Sequence, residues 1–140
     1  MSVYLDASVI VAMFVPDAFA ARAQAFLDSG PSGVIISDFA SAEFASAIGI
    51  RLRMGLSTAA EAQGAFSNLD DWTGKYASVI ESQPVDIREA QSVLRRLDLN
   101  VRAPDAIHLM MARRCEAALA TFDTGMATCA QKLGIAVAAL

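Results

Sequence analysis

Four acidic residues occur where the sequence predicts the end of a strand or the start of a helix. Asp6 follows the apolar run VYL, and Asp123 follows the apolar run ALATF. Glu43 lies in the first turns of a predicted helix, and Asp105 lies in the first turn of a helix that begins at Pro104. Because the carboxyl ends of parallel strands meet at one edge of a sheet, we expect the four carboxylates to converge there.

A divalent cation would explain such a cluster, because four adjacent carboxylates repel one another and resist ionising together. Ligands that are all oxygen atoms favour a hard ion, Mg²⁺ or Mn²⁺. Such an ion activates water and stabilises the charge that develops during phosphodiester cleavage. A single Asp at a strand end is often only a helix cap, so the prediction depends on Asp6, Glu43, Asp105 and Asp123 occurring together.

Three further polar residues lie near the same edge. Ser8 and Thr121 each stand two residues from a candidate ligand, and their hydroxyl groups could orient a carboxylate or a water molecule. Ser8 could equally be a helix cap, and Thr121 an ordinary strand residue. His108 follows Asp105 by three residues in the apolar run AIHLMM, where a lone histidine is more often packed and hydrogen-bonded than catalytic.

The alternation of strand-like and helix-like segments predicts one α/β domain over residues 1–140. The chain has no internal repeat, low-complexity tract or linker. Expected strands cover residues 2–5, 34–36, 77–82, 117–122 and 135–140, and expected helices cover residues 8–14, 17–29, 38–53, 58–74, 84–97 and 104–115.

The composition favours a protein that works inside the cell and has protein partners. Hydrophobic residues make up 55% of the chain, more than one core requires, so an oligomer or a bound protein is expected. The longest stretch without charge has ten residues, which is too short to cross a membrane, and no basic leader precedes Asp6. Cys115 and Cys129 lack metal-site spacing and are expected to be free thiols in a reducing cytoplasm.

The net charge of −4 argues against indiscriminate binding of nucleic acid, which normally needs a basic face. However, the excess of negative charge comes from the candidate site. Without the four candidate ligands, the chain has equal numbers of acidic and basic residues, so a site that contains a cation would not repel a phosphate backbone.

Four segments in order along the chain resemble the acidic motifs of the PIN-domain family, and most closely those of the VapC toxins of VapBC-type toxin–antitoxin pairs. They are VYLDASVIVAMF, ISDFASAEFASAI, RAPDAIHLMMA and LATFD. The resemblance covers nearly the whole chain, including the closing segment LGIAV. It implies a three-layer α/β/α fold with a parallel sheet of about five strands.

The same resemblance implies an endoribonuclease that depends on Mg²⁺ or Mn²⁺. The family's acidic positions correspond to Asp6, Glu43, Asp105 and Asp123, with Ser8 and Thr121 as supporting positions. A cognate VapB-type antitoxin would hold such a toxin inactive by filling its groove, and a homodimer is expected.

The loop after the last aspartate departs from the family pattern. Members often have basic residues there, whereas this chain continues FDTGMA. Arg51 and Arg53, at the end of the helix that contains Glu43, are therefore alternative candidates for contacts with RNA phosphates, although exposed arginines at a helix end are usually only solvated.

Three other functions compete with a nuclease. A phosphoacceptor receiver domain would need an acidic pair at the end of the first strand, and a haloacid-dehalogenase-like phosphatase would need Asp-x-Asp where this chain has Asp6-Ala7-Ser8. A binding module that kept the PIN fold but lost its chemistry would be expected to lack at least one of the four acids, and none is missing.

Overall fold

The parallel sheet contains four strands and is seen in a computed structural model that describes all 140 residues. The strands follow the order β3-β2-β1-β4, and Val3 of β1 lies opposite both Val34 of β2 and Ala118 of β4. Chain order therefore reverses beside β1, which is where ligand sites form in such sheets. The strands are β1 (Val3–Leu5), β2 (Val34–Ser37), β3 (Ala77–Ile80) and β4 (Ala118–Ala120).

Seven helices cover the two faces of the sheet and complete three α/β/α layers. One core cluster forms between the sheet and α1 to α4, with Ile10 and Phe44 fully buried. A second cluster forms on the other face under α5 to α7, around Leu109 and Leu119. The helices are α1 (Ala7–Phe14), α2 (Ala20–Asp28), α3 (Asp38–Arg53), α4 (Ala59–Tyr76), α5 (Pro84–Arg95), α6 (Ala103–Arg114) and α7 (Thr124–Lys132).

Short polar side chains begin several helices and so determine where each strand gives way to a helix. Asp6, Ser37, Thr58 and Asp123 each accept a hydrogen bond from a backbone N–H in the first helical turn. Ser37 and Thr58 stand at the starts of the helices expected over residues 38–53 and 58–74. Asp6 and Asp123 are caps as well as candidate ligands, so the two functions coincide at these residues.

The predicted α/β/α architecture is confirmed, but the prediction of about five strands was wrong by one. The segment 135–140 forms only a single parallel bridge, between Leu119 and Val137. Helix α7 was not predicted, although its buried residues Met126, Cys129 and Ala130 follow helical spacing. Strand β4 ends at Ala120, so Asp123 lies beyond the strand and begins α7.

No helix in the structure is long and apolar enough to span a bilayer. Both cysteines are free thiols, and Cys129 lies on the buried face of α7.

Candidate functional site

Asp6 lies between β1 and α1, and its carboxylate is almost completely buried, with a residue exposure of 2%. One oxygen, Oδ1, accepts hydrogen bonds from the Ser8 hydroxyl at 2.6 Å and from the Val9 backbone N–H at 3.1 Å. The other oxygen, Oδ2, accepts a hydrogen bond from the Thr121 hydroxyl at 2.6 Å. Three donors therefore hold the carboxylate in one orientation.

Burial raises the pKa of Asp6 above that of an ordinary aspartate, and the hydrogen bonds from Ser8, Thr121 and Val9 offset only part of the effect. No lysine or arginine forms an ion pair with this carboxylate. Asp6 is thus a buried acid that lacks a compensating full positive charge.

The Ser8 and Thr121 hydroxyls also connect Asp6 to the loop between β4 and α7. Ser8 Oγ accepts a hydrogen bond from the Phe122 N–H at 3.0 Å, and Thr121 Oγ1 accepts one from the Asp123 N–H at 3.0 Å. These bonds join segments more than 110 residues apart in sequence. Both hydroxyls lie where the sequence predicted supporting residues.

A groove of about 510 Å³ opens at this edge of the sheet. Glu43 and Asp123 both line it, so two of the predicted acids face a common space. Ser8 lines the same groove. Asp17 lines the same groove and was not among the predicted site residues. No basic residue lines this groove, so it is strongly acidic.

Glu43 is held by a chain of hydrogen bonds that runs through the interior beside the sheet. Its Oε2 lies 2.5 Å from His108 Nε2, and His108 Nδ1 lies 2.7 Å from the Tyr4 hydroxyl. The Tyr4 hydroxyl in turn lies 2.7 Å from Ser37 Oγ. Both ring nitrogens of His108 are therefore engaged, and the residue is packed as its apolar surroundings predicted.

Tyr4 is the central member of this chain and is fully buried. Burial raises the pKa of its phenol well above the ordinary value, with smaller contributions from the nearby acids Asp6 and Glu43. The hydroxyl therefore remains protonated and can always donate a hydrogen bond. Tyr4 fixes the position of His108, and His108 fixes that of Glu43.

Asp6 and Asp105 do not line the groove: Asp6 is buried and hydrogen-bonded to the groove residue Ser8, whereas Asp105 has no such connection. Asp105 is half-buried at the start of α6, and its Oδ2 accepts a long hydrogen bond of 3.4 Å from the Arg102 N–H. Its position at a helix N-terminus stabilises a carboxylate electrostatically. In this arrangement, no three side chains of His, Cys, Asp or Glu are close enough to share one metal ion.

The donor set nevertheless has the chemistry that Mg²⁺ or Mn²⁺ requires. Asp6, Glu43 and Asp123 present carboxylate oxygens at one edge of the sheet, and Asp6 has no cationic partner. Because no three of these side chains meet, sharing one ion would require some of the carboxylates to adopt other rotamers.

Tyr4 and Ser37 were not among the predicted site residues. Tyr4 was assigned to a buried apolar run, and its polar tip was the only signal of a further role. Arg51 and Arg53 were candidates for phosphate contacts, but they lie two to three turns beyond Glu43 on α3, about 12 Å and about 15 Å along the axis. Arg51 lines a different cavity, formed by α1, α3 and α4.

Replacing Tyr4 with phenylalanine is expected to lower the free energy of unfolding by about 1–3 kcal/mol, because His108 and Ser37 both lose a buried partner. Urea denaturation measures the change. The matched control is Tyr76→Phe, since Tyr76 is 65% exposed and should be neutral within about 0.5 kcal/mol. Equal stability of the two variants would contradict the assigned hydrogen bonds.

Comparison with known proteins places these features in a family. The model of the PIN domain matches residues 3–132. Similar solved structures include VapC20 of Mycobacterium tuberculosis, a sarcin–ricin loop cleaving toxin, with a TM-score of 0.73 and 18% identity over 91% of this chain and 94% of that one. No curated protein matches the chain.

Two further similar structures were solved as complexes. VapBC2 from Rickettsia felis, bound to a DNA fragment from its promoter, aligns with a TM-score of 0.68 and 16% identity over 99% of this chain and 98% of that one. A toxin–antitoxin complex from Klebsiella pneumoniae aligns with a TM-score of 0.62 and 17% identity over 87% of each chain. At these identities the likeness establishes the shared fold.

Proposed function

The chain belongs to the PIN domain family, and on that premise we propose that it is an endoribonuclease toxin of a type II toxin–antitoxin pair that uses Mg²⁺ or Mn²⁺. The observation that carries the proposal is the Asp6 carboxylate, buried without a cationic partner beside an acidic groove. A stability role alone does not account for it, because burying an uncompensated charge is costly.

Each acid has a distinct role in this proposal. Asp6 is the fixed ligand, because Ser8, Val9 and Thr121 hold its carboxylate in place. Glu43 and Asp123 are ligands on opposite sides of the groove. Asp105 is the fourth acid and joins the others only after its side chain reorients.

When bound, a divalent ion would lower the pKa of a water molecule and stabilise charge on the scissile phosphate. The residues of the chain would hold that ion and control how RNA approaches it. Their acidic groove repels a phosphate backbone in the absence of a cation, so RNA binding near the site should depend on the metal. His108 contributes by keeping Glu43 at the groove wall until a ligand draws that carboxylate away.

The antitoxin partner is supported by the similar structures, two of which were solved as toxin–antitoxin assemblies. Exposed apolar side chains at the end of α3 provide surface for a protein partner or for a second copy of the chain. They include Ile50, Met54 and Leu56, the last two being more than half exposed.

Cleavage of a structured RNA by the purified protein is expected with Mg²⁺ or Mn²⁺ and not with chelator. Glu43→Gln should lower cleavage at least roughly a hundredfold, since loss of a residue that only supports a metal ligand already costs about 10–100-fold. The amide can still pair with His108, so the fold should persist. Calorimetric titration with Mn²⁺ should show weaker binding by the variant.

The matched control is Asp28→Asn, because Asp28 is an exposed acid whose carboxylate pairs only with Gln24 and lies before β2, at the opposite edge of the sheet. It should cleave RNA and bind Mn²⁺ like the wild type. Wild-type protein that neither cleaves any RNA nor binds a divalent ion would favour the competing function, a non-catalytic binding module.

A further inference from the structure

Two phenylalanines and an arginine form an aromatic platform at the rim of the acidic groove. The rings of Phe19 and Phe122 are stacked, with centroids 4.6 Å apart and planes inclined by 11°. The Arg22 guanidinium lies 5.5 Å from the Phe19 centroid and 5.2 Å from that of Phe122. Both rings line the groove together with Glu43 and Asp123.

Each member of the platform is held by a separate part of the chain. Asp17 Oδ1 accepts a hydrogen bond of 2.7 Å from the Phe19 N–H, which fixes the turn before α2. Ser8 fixes the Phe122 backbone, as described above. Arg22 Nη2 donates a hydrogen bond of 3.0 Å to the Leu140 carbonyl oxygen. The geometry is therefore set before any ligand arrives.

The two rings differ in exposure. Phe122 packs against the core cluster beneath α1 to α4, whereas Phe19 lies on top of it and remains 38% exposed. Phe19 thus presents aromatic surface to solvent directly beside the groove. An exposed aromatic ring next to a cation is the arrangement with which proteins bind unpaired nucleobases.

We propose that the aromatic platform stacks a base of single-stranded RNA, with Arg22 beside the ribose-phosphate backbone of the same nucleotide. The inference rests on the proposed nuclease function and deepens it by specifying an unpaired substrate strand. Phe122 directly precedes Asp123, so the stacked nucleotide lies close to the cleaved phosphate. Stacking tolerates any base, so this subsite selects for strandedness more than for sequence.

Charge supports this choice of ligand. The groove itself has only acidic charged residues, and the loop after Asp123 has no basic residue before Lys132. Arg22 is the cation that touches the groove's lining, through both rings. An RNA backbone that crosses the groove therefore meets a positive charge of the protein at the platform, on Arg22.

The test measures binding of a fluorescein-labelled, mixed-sequence single-stranded RNA of twelve nucleotides by anisotropy. It uses the chain with Asp6 intact in Ca²⁺, a hard cation that also takes carboxylate oxygens but does not adopt the strict octahedral geometry of Mg²⁺, so that binding is measured without cleavage. Phe19→Ala should weaken binding roughly tenfold or more. Phe19→Trp should bind as tightly as Phe19. The matched control, Tyr76→Ala, removes an aromatic ring that is 65% exposed at the opposite edge of the sheet and should have no effect.

An abasic RNA of the same length separates stacking from phosphate contact. Phe19→Ala should not alter its binding, whereas Arg22→Ala should weaken binding of both RNAs. A second readout uses Phe19→Trp in a chain that also carries Trp72→Phe, so that the introduced tryptophan is the only one. Its fluorescence should fall when RNA with bases binds and stay unchanged with abasic RNA. Equal losses for Phe19→Ala and Tyr76→Ala, or equal losses on both RNAs for Phe19→Ala, would overturn the platform.

These readouts do not depend on cleavage, so the two proposals can fail separately. Absence of RNA cleavage by the wild type together with Phe19-dependent binding would refute the nuclease and retain the base-stacking subsite. Metal-dependent cleavage together with Phe19-independent binding would retain the nuclease and refute the subsite.

Discussion

Asp6→Asn is expected to abolish metal-dependent RNA cleavage while raising the melting temperature at neutral pH by roughly 2–4 °C. Asparagine has the shape of aspartate, and its Oδ1 can still accept hydrogen bonds from Ser8 and Val9. The substitution removes the buried charge, which no lysine or arginine pairs with in the folded protein. It also reverses one hydrogen bond, because the amide N–H₂ that replaces Oδ2 must donate to Thr121 Oγ1 instead of accepting from it. Loss of function and gain of stability should therefore occur in the same variant.

The pH dependence follows from the raised pKa of Asp6. The folded protein binds a proton at this site more readily than the unfolded chain does. The site therefore favours folding most at a pH below the ordinary aspartate pKa of about 3.9. That contribution is lost as the pH rises through the folded-state pKa. The melting temperature of Asp6→Asn should exceed that of the wild type at pH 7, and the difference should shrink in acid.

Differential scanning calorimetry at several pH values measures this difference, and the gel assay for RNA measures cleavage. Asp28→Asn serves again as the control and should leave both unchanged. Asp6→Ala should be less stable than Asp6→Asn by about 1 kcal/mol, because it also removes the cap of α1. A wild-type protein more stable than Asp6→Asn at pH 7 would show that Asp6 is compensated in the free protein.

Arg114→Met is expected to lower the free energy of unfolding by about 3–5 kcal/mol, the cost of leaving a buried charge without its partner. Arg114 Nε and Nη2 donate to the two oxygens of Asp86 at 2.8 and 3.0 Å, and Asp86 is 1% exposed. Arg114 Nη2 also donates to the Glu81 carbonyl oxygen at 3.0 Å. The pair thus joins α6 to α5 and to the segment that follows β3.

Urea denaturation of Arg114→Met, Asp86→Asn and the double variant measures the coupling between the two residues. The double variant should regain much of the loss, because asparagine can still accept the hydrogen bond from the Gln83 N–H. The neighbouring Arg113→Met is the control: its pair with Glu89 is largely exposed and should contribute about 0–1 kcal/mol. Similar losses for Arg113→Met and Arg114→Met would contradict this assignment.

Local patterns in the sequence were sufficient to predict the layers and the start of α3 at Asp38, whereas the four acids as metal ligands stay a prediction. These features depend on neighbouring residues: an apolar run, a cap, and a proline in the first helical turn. The same local reasoning failed at the C-terminal end of the chain. The run IAVAAL is as apolar as a strand, yet only Val137 pairs with β4. Asp123, assigned to a strand end, begins α7 instead.

Contacts between distant segments could not be predicted from one sequence. The pairing of His108 with Glu43 spans 65 residues, and the stack of Phe19 on Phe122 depends on how α2 meets the last loop. Asp86 was not considered at all, because an acid near the start of a helix is usually exposed. Contacts between polar side chains of distant segments depend on tertiary packing, and local sequence patterns do not specify that packing.

The hydrogen bond between Thr121 and Asp6 has a consequence for how the chain folds during its synthesis. The two residues are separated by 115 positions, and β1 has its partner β4 at the same separation. Contacts so distant in sequence form late, since a long loop must close first. A nascent chain on the ribosome thus carries Asp6 from the outset but completes its setting only after Thr121 has emerged. The carboxylate centre is therefore assembled only when nearly the whole domain has been synthesised.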